Sequence, residues 1–482
     1  MEPIIGREKE IEELRNYIHS DKSEFVAIYG RRRVGKTFLV RHAVEDKFTF
    51  FITGVHGATK NEQLINFAIA LQKCSKNSEL KVEKNWLLAF YSLEKYIETL
   101  PEGPKILFFD ELPWMDSQKS GFIRALENFW NSWAALRNDI KLIVCGSATS
   151  WIINKIIRDR GGLHNRVTHK IKVDPFHLKE CEKYFNTYLF PFSRKQIAEC
   201  YMTMGGIPYY FSLMKRDLSL SENIDKLFFQ PDAPLKDEFS DLYRALFKNW
   251  EIYIKIVRCL GSKGVGLSRQ EILKLTGITD NGAFSNILEE LELCGFIRHY
   301  PSMIKRDSKN KPLRRQSREI LYQLIDFYTL FYLKFIEKGK EEDCHFWSAS
   351  YNTPILNAWR GQAFEKLCLC HYRELKEALG ISAVNTTLYT WRSVKSEPGS
   401  QIDLVIDRAD DTINLCEIKY YSNIFTIDKK YYMNLENKVD SFIEETKTLK
   451  AIILTMITTR GLLKNQYSSI VTRQVVLDEL FK

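Results

Sequence analysis

The segment GRRRVGKT, residues 30–37, constrains this chain more than any other feature. It fits the pattern G-x-x-x-x-G-K-[ST] and lies between an apolar run, FVAIY, and a helical run, FLVRHAVE. A strand that feeds such a loop into a helix aims successive backbone N–H groups at one point, and the positive end of the helix adds to their pull on an anion. Gly30, Arg31, Arg32, Arg33, Val34 and Gly35 would form this phosphate cradle. Lys36 would reach the β- and γ-phosphates of ATP, and Thr37 would ligate Mg²⁺.

The flanking sequence supplies a sheet for the loop to sit on. EFVAIYG, KFTFFITG, KILFFDE and KLIVCGS are four short runs rich in β-branched and aromatic residues, separated by helical patterns such as 61–73 and 119–137. That alternation predicts an α/β fold with a parallel sheet covered by helices. KILFFDE ends in two carboxylates, of which Asp110 would hold the Mg²⁺ shell and Glu111 would orient the attacking water. KLIVCGSATS ends in small hydroxyl residues, where Ser147 would either sense the γ-phosphate or simply cap the next helix.

IIGREKE (residues 4–10), the phosphate loop, FFDELPW, CGSATSW and GGIPYY occur in this order, and together they resemble the archaeal and bacterial ATPase family of the AAA+/STAND P-loop superfamily. The resemblance covers roughly residues 1–245. It implies that Ile5, Gly6 and Arg7 help form the nucleotide pocket and that Pro208, in a helical lid, lies near the adenine. It also implies that Arg166, in GGLHNRV, is an arginine finger acting in cis or in trans; read from the residues alone, Arg166 is equally a surface arginine. Gly6 and Arg7 equally open a helix, and GGIPYY equally breaks one.

Beyond residue 176 the pattern becomes mostly helical. Residues 246–300 read as three short helices and an apolar strand, which resembles a winged helix-turn-helix, a module that either enters a DNA groove or packs as a restraint. The run KRDSKNKPLRRQSRE at 305–319 reads as a wing or a phosphate-contacting arm, or as a solvated loop. LYQLIDFYTLFYLKFI at 321–336 reads as a buried helix, too short and too interrupted to span a bilayer.

Near the end of the chain, QIDLVIDRADDTINLCEIKYY gives two apolar strands around a turn at Asp410. Asp403 and Glu417 are both seven positions from that turn, so they face each other across the hairpin at roughly 4.5–5.5 Å between Cβ atoms. Lys419 shares a strand face with Glu417. Two facing carboxylates repel unless a cation lies between them, and oxygen ligands suit Mg²⁺ or Mn²⁺. The spacing Asp-x13-Glu-x-Lys resembles the PD-(D/E)XK nuclease superfamily, with Ile402 replacing its proline and Glu365 standing where its helix carries a carboxylate. The resemblance implies metal at Asp403 and Glu417, assistance from Glu365, Lys419 at the scissile phosphate and Gln401 near it. A solvent-facing charged strand, or a nuclease fold that binds without cutting, are the other readings.

The 482 residues allow several domains, here expected at 1–175 (ATPase core), 176–245 (helical lid), 246–339 (winged helix and connecting helix) and 340–482 (nuclease-like domain). A net charge of +9 tilts toward a polyanionic partner such as DNA. Ten cysteines without a CxxC pair argue for a reducing cytoplasm and against a disulfide framework or structural metal. The charged start MEPIIGREKE reads as no signal peptide, and no membrane partner is expected. The expected function is a Mg²⁺-dependent ATPase controlling a DNA nuclease; the alternatives are an ATP-bound regulatory or DNA-binding switch with a partner protein, and a small-molecule kinase. A trans-acting Arg166 would call for a homo-oligomer.

Overall fold

A computed structural model describes residues 3–76, 79, 81–158, 161–163, 165–262, 264, 266–301, 320–337, 339, 343–393 and 400–482. The basic run 305–319 lies outside the described residues. The chain divides into two compact units, the first made of residues 1–175, 207–209 and 245–247 and the second of the remainder.

In the first unit, α1 (Glu8–Ile18) precedes β1 (Glu24–Tyr29), α2 (Lys36–Ala43), β2 (Phe50–Thr53), α3 (Lys60–Ser75) and α4 (Trp86–Glu98). Then come β3 (Lys105–Asp110), a turn α5 (Leu112–Met115), α6 (Phe122–Ser132), β4 (Ile140–Gly146), a turn α7 (Thr149–Ile152) and β5 (His169–Lys172). All five strands are parallel, in the order β2-β3-β4-β1-β5. β1, β3 and β4 are buried along nearly their whole length, which is why they read as continuous apolar runs. Phe25, Phe50, Phe67, Trp86, Phe90, Phe109 and Phe129 fill one side of the sheet, so helix α4, unassigned in the sequence, carries part of the core. β5 also went unread, because HKIK is four residues long with only Ile171 buried.

The sheet order brings the C-terminal ends of β1, β3 and β4 side by side, and the phosphate loop, Asp110 and Ser147 follow from those ends. Gly30 opens the loop at φ +147°, and a Cβ there would meet the Val173 carbonyl oxygen at 2.1 Å. Gly30→Ala is therefore expected to lower stability by about 2–4 kcal/mol, read as a fall in the denaturant midpoint at unchanged slope.

The second unit begins with α8 (Leu178–Thr187) and α9 (Arg194–Met204), followed by α10 (Pro208–Ser212), which starts in the first unit, and α11 (Leu220–Ile224). It continues with α12 (Glu238–Leu246), α13 (Trp250–Gly261), β6 (Leu267–Ser268), α14 (Arg269–Thr276), α15 (Gly282–Leu293), β7 (Ile297–Pro301) and β8 (Ile320–Leu324). β6, β8 and β7 make a small antiparallel sheet beside the three helices α13–α15. The segment expected as a helix from 321 to 336 is split: 320–324 pair with β7, and helix α16 (Phe327–Phe331) starts only after Asp326. The Asp326 carboxylate accepts the Thr329 N–H at 3.0 Å, the cap that fixes this start. A π-helical turn over Tyr332–Ile336 ends the segment. Residues 176–206 and 210–244, expected as a separate lid, belong to the same compact unit as the C-terminal part, because α9 packs on α16 and on α18 (Pro354–Cys370).

After α17 (Phe346–Ala349), α18 and α19 (Tyr372–Ala378) come β9 (Thr386–Arg392), β10 (Gln401–Arg408) and β11 (Thr412–Lys419). α20 (Lys429–Thr446), β12 (Ala451–Thr458) and β13 (Arg473–Val476) complete the unit. The sheet order is β13-β12-β11-β10-β9, antiparallel from β9 to β11 and parallel from β11 to β13. Tyr389, Trp391, Val405, Leu415, Leu435 and Phe442 form the apolar layer between this sheet and α20. All ten cysteines are free thiols. Among the described residues, no helix is long and apolar enough to cross a membrane.

Candidate active site

Five of the predicted nucleotide-site residues, Lys36, Thr37, Asp110, Glu111 and Ser147, converge in the first unit. Lys36 is buried, and its ammonium donates to Gly30 O at 3.0 Å, Arg31 O at 2.9 Å and Ser147 Oγ at 3.1 Å. Ser147 in turn holds Glu111 twice, donating from its N–H to Oε2 at 3.0 Å and from Oγ to Oε1 at 2.6 Å. Lysine, serine and glutamate thus form one chain of bonds across the ends of β1, β3 and β4. The Thr37 hydroxyl donates to Asp110 Oδ2 at 2.9 Å, and the Glu111 N–H donates to Asp110 Oδ1 at 3.0 Å. Burial, with the nearby charge of Glu111, raises the Asp110 carboxyl above its usual range, so a cation beside it would relieve an existing penalty.

The loop backbone is strained where it is shaped for a ligand. Arg33 has φ 70° and Glu111 φ 45°, both left-handed, and Gly35 at φ 89° precedes the helix bearing Lys36. The Arg33 guanidinium lies 4.2 Å from the ring centre of Tyr209. Val34 and the Arg31 side chain are buried, while Arg32 is half-buried. Ile5 is buried, and Gly6 and Arg7, at φ 65° and 66°, open α1. The buried Arg7 guanidinium donates to the Asp174 carbonyl beside β5. Pro208 begins α10, half-buried. Arg166 lies exposed on a turn, its N–H bonded to Leu163 O at 3.0 Å, and is not brought to the loop by these bonds.

In the second unit the hairpin registers as its spacing predicts. Leu404 pairs with Cys416 and Val405 with Leu415, which one step further sets Asp403 opposite Glu417. The face these residues share with Val405 and Leu415 is the one covered by α20. Glu417 is buried, and both of its oxygens are engaged: Oε1 by Lys419 Nζ at 2.8 Å and the Tyr431 hydroxyl at 2.8 Å, Oε2 by Lys438 Nζ at 2.7 Å. Burial opposes its charge, but the two ammonium groups outweigh burial and hold its pKa below the usual range. Asp403 Oδ2 accepts the Ile418 N–H at 2.9 Å.

For the other two carboxylates burial outweighs the lysines nearby. Asp403 is pushed up to about 6 by burial and then by Glu417. Glu365, on α18, is pushed up to about 7 by burial and then by Asp403. Lys419 is held above its usual range: burial works against its charge, but Glu417 and Asp403 prevail. Gln401 lies half-buried at the start of β10. Among the described residues, no group of three or more His, Cys, Asp or Glu side chains converges closely enough to hold a metal ion. Sequence reading missed Tyr431 and Lys438. They are seven apart on α20, two turns on one face, but only the packing of that helix shows that the face meets Glu417.

A phosphate loop between β1 and α2, with Asp110 and Glu111 at the end of β3 two strands away, has the layout of a P-loop nucleotide site. Residues 4–214 match the model of an ATPase domain found predominantly in Archaea. An uncharacterized protein of Methanocaldococcus jannaschii is 26% identical over 336 residues, 69% of each chain. An uncharacterized ATP-binding protein of the same archaeon is 40% identical over 44 residues, 9% of this chain and 75% of that one. Among solved structures, the Walker-type ATPase of Pyrococcus abyssi aligns over 69% of this chain and 96% of its own, at 18% identity and a TM-score of 0.47. The ORC2 protein of Aeropyrum pernix aligns over 72% and 96%, at 13% identity and a TM-score of 0.39.

Proposed function

We propose that ATP hydrolysis in the first unit governs a C-terminal site of the metal-dependent nuclease type that acts on DNA in the cytoplasm. The observation that carries this reading is the register that sets Asp403 opposite Glu417, with Lys419 on the same face and Glu365 near enough to feel the Asp403 charge. The order α18, α19, β9, β10, β11, α20, β12 supports it, as a helix and strand arrangement similar to the one on which PD-(D/E)XK residues are carried. Helices α13–α15 with their three-stranded sheet support a winged-helix role in holding DNA.

At the nucleotide, Lys36 leaves Gly30 O and Arg31 O for the phosphates, and Ser147 is then free to follow the γ-phosphate. Glu111, released from Ser147, accepts a proton from the attacking water. Thr37 and Asp110 fit Mg²⁺, being paired hard oxygen donors of which one is destabilised by burial; the ion would neutralise charge developing on the β- and γ-oxygens. Arg7 and Pro208 border the nucleotide, and Arg166, exposed, serves as a finger supplied to a neighbouring copy. Glu111→Gln is expected to keep ATP affinity within about twofold and to lower turnover by about 10²–10⁴-fold, measured as phosphate release against nucleotide binding.

At the C-terminal site, Asp403 and Glu365 fit Mg²⁺ or Mn²⁺ as oxygen donors whose charge is disfavoured by burial, and then by Glu417 at Asp403 and by Asp403 at Glu365. The ion would supply Lewis acidity and an activated water. Lys419 places its ammonium on the scissile phosphate once it leaves Glu417. A second reading, a switch that binds DNA without cutting it, is favoured by one observation: both Glu417 oxygens already hold ammonium groups. Incubating the full chain with Mg²⁺ or Mn²⁺, with and without ATP, over single-stranded, duplex and branched DNA separates the two. Cleavage that needs the ion and is lost in Lys419→Ala supports the nuclease; retention of DNA with no cleavage under any condition establishes the switch.

A further inference from the structure

A second cluster of buried polar groups lies in the same unit as the carboxylate site, and nothing in the chemistry above uses it. Its centre is Glu199 on α9, 3% exposed. The Tyr420 hydroxyl donates to Glu199 Oε1, and the Tyr351 hydroxyl donates to Oε2 at 3.2 Å. Arg360 Nε stands 3.7 Å from Oε1, and Lys195 Nζ, one turn back on α9, 3.9 Å from it. Arg360 is itself buried, its guanidinium over the Tyr351 ring at 4.2 Å and its Nη1 donating to the Tyr351 carbonyl. A carboxylate held this way inside a protein is costly unless it is paired, so each of these partners is fixed by it.

Two of the partners are the immediate supports of the carboxylate site. Tyr420 follows Lys419 in the chain, at the end of β11, and its ring packs against Phe364 at 5.6 Å. Arg360 lies on α18, the helix that carries Glu365 and packs on β11. Glu199 therefore grips both the strand end that aims Lys419 and the helix that aims Glu365. At its other end α9 stops at Gly205, φ 68°. The chain then enters the first unit at Ile207–Tyr209, where the Tyr209 ring meets Arg33 of the phosphate loop. The helix is thus joined at one end, by a few residues of chain, to the Tyr209 that meets Arg33, and is clamped at its middle to the two elements that aim the C-terminal site.

We propose that Glu199 is a positioning residue through which the nucleotide state of the phosphate loop sets Lys419 and Glu365. The inference rests on the reading of the C-terminal site given above, but its test does not need that site to cut. A coupling of this kind is a difference in free energy between two arrangements of α9, communicated through packed and bonded side chains. Glu199→Gln keeps the shape and removes the charge that holds Arg360 and the two tyrosine hydroxyls, whereas Glu199→Asp retains the charge.

The experiment measures the rate at which an amine-acylating reagent modifies Lys419 in the full chain, by mass spectrometry, with no nucleotide, with ADP and with a non-hydrolysable ATP analogue. In the unaltered chain the analogue is expected to change the Lys419 rate by about fivefold or more, the lower end of typical coupling energies. In Glu199→Gln the response is expected to fall to near onefold while ATP hydrolysis stays within about twofold, with the response partly restored in Glu199→Asp. Tyr420→Phe, which removes one hydroxyl and leaves the ring on Phe364, gives the same loss should Glu199→Gln fold poorly. A Lys419 rate indifferent to nucleotide in the unaltered chain overturns the proposal, as does an equal response in the variants. Cleavage of DNA is followed in the same samples: its absence throughout, with the Lys419 response intact, removes the nuclease reading and leaves the coupling standing.

Discussion

ATP binding is expected to weaken by at least about a hundredfold in Lys36→Ala, about 3 kcal/mol, and ATP hydrolysis with it. The ammonium is the cation that the loop brings to the triphosphate, and its replacement removes a charge-assisted bond that a neutral side chain cannot supply. The nucleotide-free geometry sharpens the expectation. Lys36 is already buried and already satisfied by Gly30 O, Arg31 O and Ser147 Oγ, so binding exchanges one full set of acceptors for another. Alanine also releases Ser147 from the lysine while leaving Ser147 on Glu111, so the variant folds with its catalytic glutamate still held. Loss of the buried ammonium's bonds lowers stability by about 1–3 kcal/mol, well short of unfolding a domain of this size. Titration with a fluorescent ATP analogue, alongside a melting curve, checks both parts. An unchanged dissociation constant in a folded variant would remove residues 30–37 as the nucleotide site.

The second large effect divides the C-terminal carboxylates by sign. Asp403→Asn is expected to abolish metal-dependent cleavage and, without metal, to stabilise the fold at neutral pH by about 1–3 kcal/mol. An acid whose folded pKa is raised binds protons more tightly folded than unfolded. Its favourable contribution is complete below the unfolded value, near 4, and is lost as pH rises through the folded value, about 6 for Asp403. Asparagine is neutral throughout and still accepts the Ile418 N–H, so the variant escapes that loss. Glu417→Gln runs the other way. Its folded pKa is lowered by Lys419 and Lys438, so its contribution is present above the unfolded value and is lost as pH falls through the folded one. Removing that charge leaves two ammonium groups facing a neutral amide, and the variant is expected to melt lower than the parent at pH 7. Melting curves of the two variants between pH 4 and pH 8 check the signs; a rise in both at pH 7 would show that Glu417 is not held as described.

These two sites differ in how much of them can be read from sequence. The phosphate loop is local: strand, glycines, lysine and threonine follow one another, and the strained turns at Arg33 and Glu111 fall inside contiguous motifs. The Asp403–Glu417 pairing was legible because a hairpin is nearly local too, its register fixed by symmetry about Asp410. Lys438, Tyr431 and Glu199 were not, since each reaches its partner from a helix that no strand register ties to it, and a polar residue on an amphipathic helix looks the same whether it meets water or a buried partner. The split of 320–336 into β8 and α16 was hidden for a related reason: aromatic and aliphatic residues run through both elements, and only the pairing with β7 and the Asp326 cap divide them.

Strand β11 occupies the centre of its sheet, between β10 and β12. Along it, odd-numbered positions carry Leu415, Glu417 and Lys419 toward α20, while Tyr420 just past its end turns the other way to meet Phe364. A one-residue insertion or deletion here would swap this parity, offering Ile418 to Asp403 and driving an acid and a base into the hydrocarbon beneath α18. Point substitutions can be absorbed one by one along such a strand, but a change of length cannot, so related chains that keep this chemistry should preserve the spacing from Asp403 to Lys419 more strictly than they preserve the residues between.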